Sequence, residues 1–593
     1  MTFRASSPVS APPTDLLTYF IRGGEYGVID STGVIELAAG QRISFDLASG
    51  GDWFGHGFHH VQSFPWQLGS LSNPDFAVNN IQSPIWMCSR GVVLMVDTRR
   101  KLDVRLNEKG EGKLEISCAD DDVIVRHWVA PTLPEAHRKL MAFLGWPNRP
   151  PKPSRFGDSF FCTWTQFPRC INQERVIAMG EEIHRRGYPC STLIIDDRWE
   201  ASFGELEFAE DFPDPGRMVA RLHELGIEVW LWITPFVNQE SKGFEDLAEK
   251  GILVPHRSGK GAARFRWWGG TAGLVDVTAP QGREWLRGKL EFLRDHFGID
   301  GFKIDGGDFK YQPSPSESNW HEFLGESGYS DQLLAVFEDL VPNQCESRTA
   351  WLSQKRSILW RQGGKDSHWG ADNGLKAMVR LGLHLALLGY DLSIPDMVPG
   401  RVQTLKSDEP LPTDELMVRW TEVSAFMPFL QFSYFPWNYA PETERVVWGY
   451  AQIHKLLENY LVEQSTDRTA PLIRPAWYGA PEEKELFRID DQFLLGDDLL
   501  VAPVLEEGQV SRTVILPPGE WVDAYTKETL QGGEFPDYPA PCPGIPLFVR
   551  KARMDLVEQI RPQLLEVSRV RIQLVKTTAS YSAGLNRDLS VTG

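Results

Sequence analysis

The stretch "FGIDGFKIDGGDFKY", residues 297–311, decides the fold. Its first half is apolar enough for a buried strand. The strand ends on Asp305, followed by two glycines that leave room around the carboxylate, and then by Asp308. A buried strand delivering a carboxylate to open space fits a barrel, whose active site lies at the C-terminal ends of its strands.

Outward from this stretch the chain repeats one texture: apolar strand, loop, amphipathic helix. "RFGDSFFCTW", "STLIIDD" and "EVWLWITPF" read as the three preceding strands, and "SRTAWLS", "SILWR", "DLSIPDM" and "SAFMPFLQF" as the four that follow. "NQERVIAMGEEIHRRG", "DPGRMVARLHELG", "QGREWLRGKLEFLRDHFG" and "GLKAMVRLGLHLALLG" read as helices between them. Eight strands with helices over roughly 300 residues predict an α/β fold, the (β/α)8 TIM barrel. An open doubly wound sheet is the alternative, but no GxGxxG follows the first strand.

The flanking sequence differs. Residues 1–150 alternate in short runs such as "GVVLMVDTRRKLDVRL" and predict an N-terminal β-sandwich domain, closed by the proline-rich boundary "PNRPPKPSRFG". The barrel is expected over 151–464. Short strands return over 465–553 as a small C-terminal β-domain, and 554–593 is an extension without a clear pattern.

Composition narrows the function. The 593 residues exceed a single hydrophobic core. A formal charge of −19 argues against nucleic acid or an anionic membrane as partner. The 21 tryptophans suit a sugar-binding protein, because indole faces stack on pyranose rings, but they also suit a β-rich core. Seven scattered cysteines with no CxxC pair point to reduced thiols and a cytoplasmic location. The start of the chain has no leader-like apolar segment, and no apolar run reaches the roughly 18 residues of a membrane span. Self-association as a homo-oligomer is left open.

Several carboxylates fall at equivalent strand ends: Asp196 and Asp197 after the second strand, Asp305 after the fourth, and Asp396 after the seventh. Arg361 closes the sixth strand, and Asp372 follows in "RQGGKDSHWGADNG". Singly, each aspartate reads rather as a helix N-cap. Together at one mouth they suit glycoside hydrolysis, in which one carboxylate attacks the anomeric carbon and another protonates the leaving oxygen. Metal-assisted hydrolysis competes for an acidic cluster, but no HxH or HxxxH spacing falls in the barrel segment.

These motifs resemble glycoside hydrolase family 31. "DGFKIDGGD" looks like its nucleophile strand and "HWGADNG" like its acid/base motif, with "LWITPF", "GLVDVTAP" and "FLLGDDLLVAPVL" fitting in order over roughly residues 150–550. "RWWGG", "SHWGADNGL", "IPDMVPG" and "VRWTEVSAFMPFLQFSYFPW" look most like its myogenesis-regulating glycosidase group, which includes α-galactosidase activity. The resemblance implies a retaining exo-α-glycosidase acting on an oligosaccharide or α-glycoside, without metal or cofactor. It implies Asp305 as nucleophile and Asp372 as acid/base. Asp196, Asp197 and Arg361 would hold sugar hydroxyls, and Lys303 would keep Asp305 ionised. Trp232, Trp268 and Trp369 would form walls of the site, although Trp232 and Trp268 read equally as core. Gln431 and Ser433 replace an Arg and a His of many α-glucosidases, which favours an α-galactoside. An α-glucosidase or α-xylosidase is the alternative, and a non-catalytic sugar-binding or regulatory protein is the second.

Overall fold

The computed structural model describes residues 17–572, apart from residues 24, 148, 168–169, 402–410 and 467. The start of the chain, on which the expectation about a leader falls, and the end of the C-terminal extension lie outside the described residues.

Eight parallel strands form the barrel: β1 (Ser159–Cys162), β2 (Cys190–Ile195), β3 (Glu228–Ile233), β4 (Gly301–Ile304), β5 (Cys345–Ser347), β6 (Leu359–Arg361), β7 (Ser393–Ile394) and β8 (Gln431–Phe432). β8 pairs with β1, and Val398, just past β7, bridges to Phe432 and closes the ring. β4 is buried along its whole length. Its first residue must be glycine, because a Cβ at Gly301 would lie 2.1 Å from the Gln344 carbonyl oxygen. Gly306 and Gly307 both have φ of +83°, a conformation that costs glycine little, and they turn the chain sharply after Asp305.

Helices Gln173–Arg186, Pro215–Glu224, Pro280–Phe297, Gly328–Leu340 and Leu375–Leu387 join the strands in sequence. Three predicted strands move. The fifth lies upstream of "SRTAWLS", because the Ser347 hydroxyl accepts the Thr349 N–H and turns the chain out of the sheet. The first begins only at Ser159, because Pro153–Gly157 form a short helix with proline in its first turn. The eighth shortens because Ser424 ends the helix Asp414–Ser424.

Before the barrel, an antiparallel six-stranded sheet and a five-stranded sheet pack face to face. Ile43, Phe45 and Ile116 of one share a core with Trp86, Leu94 and Val125 of the other. The opposite face of the second sheet, through Phe54, Ile85 and Met95, joins the barrel core. After the barrel, a six-stranded sheet runs from Ile473–Pro475 to Leu547–Arg550. The extension opens with a helix, Met554–Val567, which buries Leu556, Ile560 and Leu564. It packs on the helix Pro441–Leu456, where Gly449 makes room for Val567.

Candidate active site

The barrel mouth holds a cavity of about 580 Å³, into which Asp305 projects from the end of β4. Asp305 Oδ2 accepts the Trp232 indole N–H at 3.0 Å. Oδ1 accepts the Gly306 N–H at 2.9 Å and pairs with Arg348. Burial opposes ionisation of Asp305, but the charges of Arg348 and Arg361, with the Trp232 and Arg348 hydrogen bonds, hold it well below the usual carboxylate range. Asp308 lies behind this pair. Its Oδ2 is 3.0 Å from Arg348 Nη2, and its Oδ1 accepts the Asn80 N–H at 2.6 Å.

A chain of alternating charges runs below the cavity. Lys303 Nζ lies 2.8 Å from Asp196 Oδ2 and 3.7 Å from Glu346 Oε1. Arg361 Nε is 2.9 Å from the same Glu346 oxygen, and its Nη1 is 3.5 Å from Asp396 Oδ1. Gln431 donates to Glu346 Oε2 at 2.9 Å. The inward-facing side chains of alternate strands meet here, and each buried charge has an opposite neighbour. Beside Asp196, burial and then the Asp196 charge push the Asp197 carboxyl up to about 7. Burial likewise pushes Glu200 up to about 8, against hydrogen bonds from the Leu206 and Gly204 N–H groups.

An aromatic wall closes one side. Residues Arg264–Trp267 and Gly270–Leu274 form a hairpin after β3, with Trp268 at its turn. Trp268 is 48% exposed, edge-packed on Trp267, Tyr311 and Phe236. The Arg348 guanidinium lies 5.8 Å from its ring centroid. Loops of the N-terminal domain supply Phe58, His60 and Asn80 to the cavity lining.

The cavity brings together Asp196, Asp197, Trp232, Trp268, Lys303, Asp305 and Arg361. It does not bring in Asp372 or Trp369. The Asp372 side chain is 53% exposed, with Oδ1 3.8 Å from His368 Nδ1. Trp369 packs on the core from outside the cavity. Lys303 has a different partner from the one predicted: it pairs with Asp196 and Glu346, while Arg348 and Arg361 hold Asp305 ionised. Gln431 and Ser433 do not line the cavity. Ser433 Oγ accepts from the Thr165 N–H at 2.8 Å and from its hydroxyl at 2.6 Å, which leaves both residues as scaffold.

Sequence reasoning missed Arg348, Glu346 and Asp366, which lie on or near the barrel floor, and Asn80, 225 residues before Asp305. The signal for Glu346 and Arg348 was present in "CESR", a short buried strand ending on charges like its neighbours.

A barrel mouth with an ionised, clamped aspartate, a charged floor and an aromatic rim is that of a carbohydrate-active hydrolase. Residues 150–464 match the glycosyl hydrolases family 31 TIM-barrel domain, 469–553 its C-terminal domain, and 12–123 the myogenesis-regulating glycosidase N-terminal domain. The chain belongs to glycoside hydrolase family 31. It is 32% identical over 503 residues to the myogenesis-regulating glycosidase of Mus musculus, covering 79% of this chain and 70% of that protein. It is 30% identical over 402 residues to a 1,3-alpha-isomaltosidase of Kribbella flavida, covering 60% and 53%. A family 31 alpha-xylosidase from a soil metagenome, solved with xylose, superposes with a TM-score of 0.75 at 22% identity, covering 91% and 83% of the two chains. Hydrolysis of α-glycosides with retention, from the chain end, follows from membership of the family. Among the described residues no helix is long and apolar enough to cross a membrane.

Proposed function

We propose that this protein hydrolyses terminal α-linked glucose or xylose residues by double displacement, with Asp305 as nucleophile. The observation that carries the mechanism is the Arg348–Trp232 clamp, which keeps Asp305 ionised inside the cavity. Oδ2, bearing a single hydrogen bond, is the freer oxygen to form the bond to the anomeric carbon as the glycosidic C–O bond breaks. A carboxyl group on the loop after β6 supplies the proton to the leaving oxygen and later removes one from the attacking water. Asp196, anchored by Lys303, and Arg361 present polar atoms to the sugar bound above them.

The choice of sugar follows the isomaltosidase and alpha-xylosidase relatives. The strand-eight argument for galactose lapses, because Gln431 and Ser433 are scaffold. An α-galactoside stays the second reading, favoured by the longer match to the myogenesis-regulating glycosidase and to its N-terminal domain. The seven cysteines are all unpaired, which supports a reducing compartment such as the cytosol.

Nitrophenyl α-glycosides of glucose, xylose and galactose separate these readings. The expected order of kcat/KM places glucoside or xyloside above galactoside. A site whose buried polar groups fit one C4 hydroxyl orientation leaves them unpaired with the other epimer, so the difference should be large. A galactoside preference would replace the first reading with the second.

A further inference from the structure

We propose that Asp366, rather than the motif residue Asp372, is the general acid/base of this site; the proposal rests on the α-glycosidase reading above. Asp366 lines the same cavity as Asp305, reached from Arg361 past Gly363 and Gly364, which place no side chain in between. Its side chain is 14% exposed. Oδ2 accepts the Asn373 side-chain N–H at 3.0 Å. Oδ1 is buried and accepts no hydrogen bond, with Arg401 Nε at 3.6 Å.

The backbone around Asp366 is fixed from several sides. Its N–H donates to the Asn373 carbonyl at 3.0 Å, and its neighbours are tied to Arg401 by Arg401 N–H to Lys365 O and Ser367 N–H to Arg401 O, each 2.9 Å. Lys365 is buried beneath, donating to Asn373 Oδ1 at 3.1 Å and to the Gly363 carbonyl at 3.0 Å. Its own N–H is held by Asp396 Oδ2 at 2.7 Å, which ties the loop to the charged floor. Asp372 has none of this support. Its carboxylate folds back over Gly370, where a Cβ would lie 2.2 Å from Asp372 Oδ1.

In the first step Asp305 bonds to the anomeric carbon, the glycosidic C–O bond breaks, and the Asp366 proton passes to the departing oxygen. In the second, Asp366 takes a proton from water, water oxygen bonds to the anomeric carbon, and the ester to Asp305 breaks. No other reactant is needed.

The test compares Asp366→Ala, Asp366→Asn and Asp372→Ala on the preferred nitrophenyl glycoside, its disaccharide and its dinitrophenyl analogue, with and without azide. General acid catalysis contributes about 10²–10⁴-fold. Asp366→Ala should lose that factor on the disaccharide, lose little in the first step with the dinitrophenyl substrate, and form α-glycosyl azide when azide is added. Asp372→Ala should stay within a few-fold of wild type on all substrates. Asp366→Asn, with an unchanged melting temperature, should show the same substrate split if Asp366→Ala fails to fold. The split and azide rescue appearing in Asp372→Ala alone, or in neither position, would overturn the assignment. Wild-type protein inert on every α-glycoside would instead sink the glycosidase reading beneath it.

Discussion

At the scale of single residues, the mouth places ionised and protonated carboxyls close together by giving them different neighbours. Asp305 has Arg348 and Trp232; Asp197 has burial and the Asp196 charge, with Arg198 no nearer than 3.7 Å. The contrast sets a pH dependence. Asp197 moves from 3.8 unfolded to about 7 folded, so the folded state binds more protons in that window. Its stability relative to the unfolded chain therefore falls as pH rises from about 4 through 7. Asp197→Asn removes this titration. Its unfolding free energy should match wild type near pH 4 and exceed it at pH 8 by on the order of 4 kcal/mol, at 1.36 kcal/mol per unit, seen as a higher melting temperature. Thermal melts across that range check it; parallel curves for the two proteins would show that Asp197 ionises freely.

At the scale of elements, the hairpin after β3 separates binding from chemistry. Trp268 stands at its turn, with the Arg348 guanidinium 5.8 Å from its ring centroid. Trp268→Ala should raise KM several-fold more than it lowers kcat on a disaccharide, the mark of lost uniform binding. An equal loss in kcat and kcat/KM would place Trp268 in the transition state instead. The strands and their end residues were legible because period and position fix them. Lys303 and Asp305 are two apart on one buried strand and point the same way, and Asp196 and Arg361 close strands of their own. Their partners were not legible. Lys303 faces Asp196 across two strand pairings, a register that only the folded sheet sets. On the loop after β6, motif spacing locates two aspartates but not which of them turns inward. That is decided by Asn373, Lys365 and Arg401, which meet only in the fold.

At the scale of the whole molecule, the N-terminal sheets are part of the catalytic architecture. Asn80 accepts Arg348 Nη1 at 2.7 Å through its side chain and holds Asp308 through its backbone N–H. Asn80→Ala keeps the backbone bond and removes the side-chain one. It should cost about 1–2 kcal/mol of transition-state stabilisation, roughly 5–30-fold in kcat/KM, with little change in melting temperature. Unchanged kinetics would mean that Asp308 alone positions Arg348.

The central claim is that Asp305 forms the covalent glycosyl-enzyme. The most direct measurement incubates the protein with the 5-fluoro glycosyl fluoride of its preferred sugar, which slows hydrolysis of the intermediate, and maps the label by peptide mass spectrometry. The account predicts one fluoroglycosyl group, on the peptide carrying Asp305, and none in Asp305→Ala. A label on another carboxylate, or turnover of the reagent with inversion and no label, would contradict it.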